Sequence, residues 1–228
     1  MKWMVFSDTH LGSRLCKRHS DLLDLLKRVS PDLDLLVING DFLDLWRTTL
    51  DKICRNQTLN TLVNFVLETL PRSGLRVVYV FGNHEDEYIE ELKDEFPDVE
   101  FYWNYEVDRI KIIHGHQFDK SYTENRDKLY RATKIQQFFD NLFRIDVRKL
   151  LLRIDKLLRT RVYEKFVEEI HENATNQYSD HYEAVVVSHS HKSLISDHDG
   201  FKIFDTGNTY DKLNYIIFDG EEPYEVQL

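Results

Sequence analysis

Residues Trp3-Met4-Val5-Phe6-Ser7-Asp8-Thr9-His10-Leu11-Gly12 decide how the rest of this chain is read. An apolar run stops abruptly at a carboxylate and an imidazole two positions apart. Side chains in a strand alternate, so a strand entering this stretch would point Asp8 and His10 to the same side. A carboxylate and an imidazole held together at a strand end can grip a metal ion. Surface hydrogen bonding also produces Asp-x-His pairs, so the decision rests on whether further ligands arrive from elsewhere.

They arrive at the ends of other strands. Leu33 to Ile38 reads as a strand covered on both faces and ends at Asn39-Gly40-Asp41-Phe42-Leu43-Asp44. Val77 to Phe81 ends at Gly82-Asn83-His84-Glu85, Ile110 to Ile113 at His114-Gly115-His116, and Ala184 to Val187 at Ser188-His189-Ser190-His191. Helical stripes separate the first three strands: Leu22, Leu23, Leu25, Leu26 and Val29, then Leu59, Leu62, Val63, Val66, Leu67 and Leu70. Strand, helix, strand, helix, strand predicts a parallel sheet with helices packed on it. In such sheets ligands collect at the carboxyl ends of the strands, where these polar clusters fall.

Elsewhere the reading is coarser. The acidic run from Glu85 to Glu95 is expected to be a solvated helix, and Val99 to Val107 a strand facing Ile110 to Ile113 across a turn at Asp108-Arg109. Lys120 to Lys165 reads as helical, with apolar stripes at Ile135, Phe139, Leu142 and Phe143 and at Leu150, Leu151, Ile154, Leu157 and Leu158. Short strands return at Phe201 to Phe204 and Asn214 to Phe218. Six of the ten histidines lie in the strand-end clusters; His19, His171, His181 and His198 sit among polar neighbours and are expected at the surface.

Composition limits the alternatives. A length of 228 residues, 42% hydrophobic and 31% charged, suits one globular domain with an ample core. No apolar run approaches the roughly 18 residues of a membrane-spanning helix. No signal-peptide pattern opens the chain, so a cytoplasmic protein is expected. Cys16 and Cys54 are too few and too unpatterned for a disulfide framework or a Cys-based zinc site. The net charge of −10 argues against general affinity for nucleic acid.

Asp8, His10, Asp41, Asn83, His84, His114, His116, His189 and His191 outnumber the four ligands that one tetrahedral ion uses. Two ions sharing a carboxylate would use them. Ions about 3.5 to 4 Å apart can clamp a phosphoryl group and lower the pKa of a bound water toward about 7, so no serine or cysteine nucleophile is needed.

In order and in content the five blocks resemble the calcineurin-like metallophosphoesterases. They span residues 8 to 191, and Ser188 stands where the family usually has Gly. The resemblance implies an α/β fold, a four-layer α-β-β-α sandwich carried by a single domain over 1–228, with a helical cap inserted at about 120–180. It implies Asp8, His10 and His191 around one divalent ion, Asn83, His114 and His189 around the other, and Asp41 shared between them. A hydroxide bridging the ions would attack. His84 would be the proton donor or transition-state stabiliser near the leaving oxygen, and Asp44 the carboxylate that orients it. His116 would help to position the phosphate or support a ligand. Manganese is the expected ion, with iron, zinc and magnesium as alternatives.

The segment from Lys120 to Lys165 holds 13 basic and six acidic residues, a net +7 against −17 for the remainder. Lys149, Arg153 and Lys156 share one helical face and read as substrate-binding cations presented to an anionic phosphorylated substrate; a solvated face is the plainer alternative. Gly40-Asp41-Phe42-Leu43-Asp44-Leu45-Trp46 and the helical insertion look most like the UDP-2,3-diacylglucosamine hydrolase branch. That likeness implies pyrophosphate cleavage in a lipid-linked sugar nucleotide and a peripheral membrane contact. The branch has Arg where His84 stands and Asp where His116 stands. Within the same chemistry the alternatives are a phosphoprotein or nucleotide phosphatase and a nuclease, the last disfavoured by the acidic remainder. A non-catalytic metal-binding scaffold is the alternative from another class, and the complete ligand set speaks against it.

Overall fold

The computed structural model describes residues 1–14, 16–143, 150, 153–154, 161–220 and 224–227. The continuous apolar run of the first stretch forms β1 (Lys2–Phe6), buried on both faces. Helix α1 (His19–Val29) follows, then β2 (Leu35–Asn39) and two short helices, α2 (Leu50–Arg55) and α3 (Gln57–Asn64). The Asn56 side chain caps α3 by accepting the Thr58 and Leu59 N–H groups. A π-helical turn at Phe65–Thr69 carries the chain into α4 (Leu70–Arg72) and then β3 (Arg76–Val80). The leucine and valine stripes face inward as expected, burying Leu22, Leu25, Leu26, Leu62, Val63, Val66, Leu67 and Leu70.

After α5 (Ile89–Glu95) come β4 (Glu100–Tyr102), β5 (Tyr105–Val107) and β6 (Ile110–Ile112). Helix α6 (Lys120–Phe143) is kinked at Asn125 (φ −138°, ψ 32°). Then α7 (Val162–Tyr178), β7 (Ala184–Val187), β8 (Ser193–His198), β9 (Phe201–Thr206), β10 (Asn214–Asp219) and β11 (Tyr224–Gln227) complete the order.

The strands form two sheets, β11-β10-β1-β2-β3-β4 and β5-β6-β7-β9-β8. Neighbours from β1 to β4 are parallel, as are β6, β7 and β9, so each sheet sends its central carboxyl ends to one edge. Alternation then assigns each face. Trp3, Val5, Val37, Val78, Val186, Phe204 and Phe218 fill the layer between the sheets, with Trp3 and Phe218 stacked at 3.8 Å. Met4, Phe6, Leu36, Ile38 and Tyr79 point the other way, onto α1, α3 and α4. Val185, Val187 and Ile203 pack against Ile170 and Ala174 of α7. The result is the expected α-β-β-α sandwich. Truncating Phe204 to Ala in the middle layer would cost about 3–5 kcal/mol.

Two sequence readings fail. Val99 to Val107 is not one strand: β4 pairs with β3 in the first sheet, whereas β5 pairs with β6 in the second. The chain changes sheets at Trp103-Asn104, a tertiary event without a local signature. The solvated helix read from Glu85 begins only at Ile89, and Glu85 is fully buried. Among the described residues no helix is long and apolar enough to cross a membrane, and both cysteines are free.

Candidate metal centre

Each strand exit turns sharply. Asp8, His10, Asp41, His189 and His191 all have left-handed backbones, with φ between 48° and 65°. That conformation costs a non-glycine residue of order 1–3 kcal/mol, so the surrounding bonds must hold it. Asp8 N–H donates to Gly40 O at 3.0 Å, His10 N–H to Asp41 O at 2.8 Å and Leu11 N–H to Phe42 O at 2.8 Å, which zips the β1 exit onto the β2 exit. A Cβ at Gly82 would overlap Asp41 Oδ1, so only glycine lets the β3 exit approach this closely.

The second sheet is tied on through Asn39. Its side-chain amide donates to Ile113 O at 2.8 Å and Ser188 Oγ at 2.9 Å, and its backbone carbonyl accepts from Ser188 Oγ at 2.8 Å. Ser188, where the family usually has glycine, thus ties β7 to β2.

These exits meet around Asp41. Three overlapping groups, Asp8 with His10 and His191, His10 with Asp41 and His84, and Asp41 with His114 and His189, each bring their potential ligand atoms within 4.8 Å of one another. His191 Nε2 is 3.0 Å from Asp8 Oδ1. Asp41 Oδ2 lies 3.8 Å from His10 Nε2, 3.7 Å from His84 Nε2 and 3.5 Å from His114 Nε2. His84 Nδ1 sits 2.8 Å from Asp44 Oδ1, and its ring stacks on Trp46 at 4.6 Å. His114 Nδ1 faces Asn39 O at 2.8 Å. Asn83 is buried at the same exit, and His116 is buried against Tyr122.

The site fits divalent cations. His10 Nε2, Asn83 Oδ1 and His114 Nε2 are buried and have no hydrogen-bond partner among the described residues. Leaving such atoms unsatisfied costs roughly 1–3 kcal/mol each, which a bound cation would recover. Charge points the same way. Burial opposes ionisation of Asp8 and Asp41, yet His191 beside Asp8 and His84 and His114 beside Asp41 hold both carboxyls well below the usual range. Asp44 is likewise depressed despite burial, by Arg47 and then His84. Against the effect of burial, Asp41 lifts His114 to about 10, and Asp41 and Asp44 raise His84. Burial and neighbouring His114 push His116 well below its ordinary value, so its ring is neutral.

Several residues that the sequence does not assign to the site support it. Glu85, beside the motif histidine, accepts the N–H groups of Asp41 (3.0 Å), Leu43 (3.0 Å) and Gly82 (3.1 Å) and the Tyr79 hydroxyl (2.8 Å). Burial and nearby Asp41 push its carboxyl up to about 8, against the pull of those donors. It splices the β2 and β3 exits together. Asp119 Oδ2 lies 3.2 Å from His189 Nε2, while Oδ1 caps α6 through the Ser121 and Tyr122 N–H groups. His171, expected at the surface, is buried against Asp205.

The arm that starts with α6 is pinned beside the site. Arg126 makes a two-pronged contact with Asp86 (3.0 and 2.7 Å) and a third with Glu87 (2.8 Å). Tyr122 and Tyr130 pack on Trp46, whereas Ile135 and Phe138 are exposed. Part of the basic excess therefore answers the acidic turn after β3. Of the three cations on the expected face, Arg153 is exposed, and Lys149 and Lys156 lie outside the described residues. Among the described residues, the cation that lines the recess at the site is Arg47. With Gln136 and Tyr210 it faces His10, His84 and His191 across a recess of about 420 Å³. Arg47 follows the aromatic anchor Trp46 three residues after Asp44, a spacing that could have flagged it.

The fold and site can be set beside known proteins. A dimetal phosphatase from Danio rerio superposes with a TM-score of 0.55 at 11% identity, covering 100% of this chain and 95% of that one. The E. coli phosphoesterase Yfce gives 0.47 at 16% identity, covering 100% and 98%. An archaeal phosphodiesterase gives 0.46 at 15%, covering 100% of both chains. These similarities speak to the fold, and the last two add no argument of their own. No curated protein matches by sequence. The family model for the calcineurin-like phosphoesterases matches residues 1–220. This chain therefore belongs to the calcineurin-like phosphoesterase family, as a hydrolase of phosphoric esters that works with divalent metal ions.

Proposed function

We propose a dinuclear enzyme in which Asp8, His10 and His191 hold one divalent ion, Asn83, His114 and His189 hold a second, and Asp41 serves both. The observation that supports this is that the group Asp8, His10 and His191 and the group Asp41, His114 and His189 are linked by a third group that shares His10 with the first and Asp41 with the second. Seven potential ligands are more than one ion uses. Manganese is the ion to try first, with iron, zinc and magnesium next. When bound, the ions would polarise the phosphoryl oxygens and supply an activated water as nucleophile.

The remaining roles fall to the chain itself. His84, oriented through Nδ1 by Asp44 and flanked by Trp46, delivers a proton from Nε2 to the leaving oxygen. Asp44 favours the charged imidazole and fixes its orientation. Neutral His116 lies beside His114, with ring centroids 5.4 Å apart, and helps to position the phosphate. Arg47, Gln136 and Tyr210 supply the hydrogen-bonding wall of the recess, suited to an anionic substrate. Residues 1–228 act as one domain, and the insertion read at 120–180 contributes Gln136 to the recess from α6 and a packed support from α7.

A phosphoester or pyrophosphate bond is the target. The branch likeness makes a UDP-sugar pyrophosphate with acyl chains the first physiological class to try, at a peripheral membrane contact in the cytoplasm. Purified protein with manganese, magnesium or zinc should hydrolyse p-nitrophenyl phosphate, its bis ester or a UDP-sugar pyrophosphate. Stoichiometric metal binding with no turnover on any of them would favour a scaffold over an enzyme.

A further inference from the structure

We propose that Ser190, Asp205 and His171 form a buried positioning network that fixes both metal-binding histidines of the last motif at once; the inference rests on the dinuclear reading above. His171 lies on the inner face of α7 and is 5% exposed, while Ser190 and Asp205 are fully buried. Asp205 Oδ2 accepts from Ser190 Oγ at 2.6 Å and lies 3.0 Å from His171 Nε2. Its Oδ1 accepts from the Gly207 N–H at 3.3 Å. A buried carboxylate needs such donors, and here each comes from a different segment.

Serine, histidine and aspartate together suggest a hydrolytic triad, but the wiring excludes one. In a triad the imidazole takes the serine proton and the carboxylate orients the imidazole. Here the carboxylate stands in the middle, and the serine hydroxyl donates to it. The network therefore holds a position and performs no chemistry.

What it holds is the residue between His189 and His191. Those two histidines belong to different ligand groups, and both have left-handed backbones (φ 65° and 59°). Ser190 ties the strained turn on three sides. Its hydroxyl donates to Asp205 and accepts from the Lys192 N–H at 2.9 Å, and its carbonyl accepts from the Tyr163 hydroxyl at 2.8 Å. Tyr163 and His171 both lie on α7, so one outer-layer helix braces the turn by two routes. A shift of Ser190 would move both histidines. Asp119, by contrast, touches His189 alone among them.

The test is calorimetric titration of metal-free protein with manganese, alongside its thermal melting. Ser190→Ala removes one oxygen and should weaken both binding steps by about tenfold or more, the loss expected when a ligand's supporting partner is removed. Asp205→Asn should do the same. His171→Gln, which keeps a donor, should retain more affinity than His171→Ala. Asp119→Asn should weaken one step only. Should the larger replacements fail to fold, Ser190→Ala carries the test. Unchanged affinity for both ions in folded Ser190→Ala, even with a lower melting temperature, would overturn the network while leaving the dinuclear reading intact. A wild-type protein that takes up a single ion or none would instead overturn the dinuclear reading, and the network with it.

Discussion

The two halves of the site that meet at Asp41 are built differently. In the half with His114 and His189, the rings are fixed by hydrogen bonding. His114 Nδ1 is 2.8 Å from Asn39 O and 3.1 Å from Ser188 Oγ, and His189 Nε2 is 3.2 Å from Asp119. In the half with Asp8, His10 and His191, neither ring nitrogen of His10 has a hydrogen-bond partner among the described residues. His10 and His191 also line the recess. One half is braced and closed; the other is open toward arriving substrate. The contrast predicts that, in the proposed dinuclear centre, two ions sharing Asp41 would be held with different firmness.

Asp41→Ala should abolish the contrast, because both halves depend on that carboxylate. Both ions should be lost and kcat/KM should fall by about 10³-fold or more, several kcal/mol of charge stabilisation. One full equivalent of manganese surviving in elemental analysis would break the idea of a shared ligand. His84→Ala belongs to neither half: turnover should fall about 10²-fold with metal content intact, and equal loss of metal and activity would make His84 a ligand. Graded chelation should separate the halves, releasing the ion beside His10 first, with affinities about tenfold apart. Asp119→Asn should narrow that gap, and simultaneous release of both ions from wild-type protein would refute it. Gln136→Ala should have the smallest effect, a rise in KM of roughly fivefold, worth about 1 kcal/mol for one neutral hydrogen bond, with both ions retained.

Much of this was legible in the sequence. The apolar runs ending at Asp8, Asp41, Asn83, His114 and His189 identified both the parallel strands and the edge where their loops gather, because strand ends and ligand types coincide. Glu85 was not legible: its acidic neighbours Asp86 and Glu87 suggest solvent, and its burial depends on N–H groups 44 and 42 residues away in sequence. His171 left a signal that polar neighbours obscured. Val167, Ile170, His171 and Ala174 recur at the spacing of a buried helical face. The switch of sheets between β4 and β5 had no local signal, since three-residue strands give periodicity nothing to resolve. The anionic partner expected for the basic arm was sought in the substrate, whereas Arg126 finds it in Asp86 and Glu87.

β1 has a further consequence for the living protein, because it lies between β2 and β10 and pairs with residues 216–219. The hydroxyl pairs Ser7 with Thr206 and Thr9 with Thr209 tie its exit to the end of β9 and the loop after it at 2.7 and 2.6 Å. A ribosome adding about 5–20 residues per second leaves β1 without that neighbour for roughly ten to forty seconds. Through that interval the first strand offers an open edge to other chains, and Asp8 and His10 wait without His191. The ligand group of Asp8, His10 and His191 is therefore complete only once residue 191 has joined the fold.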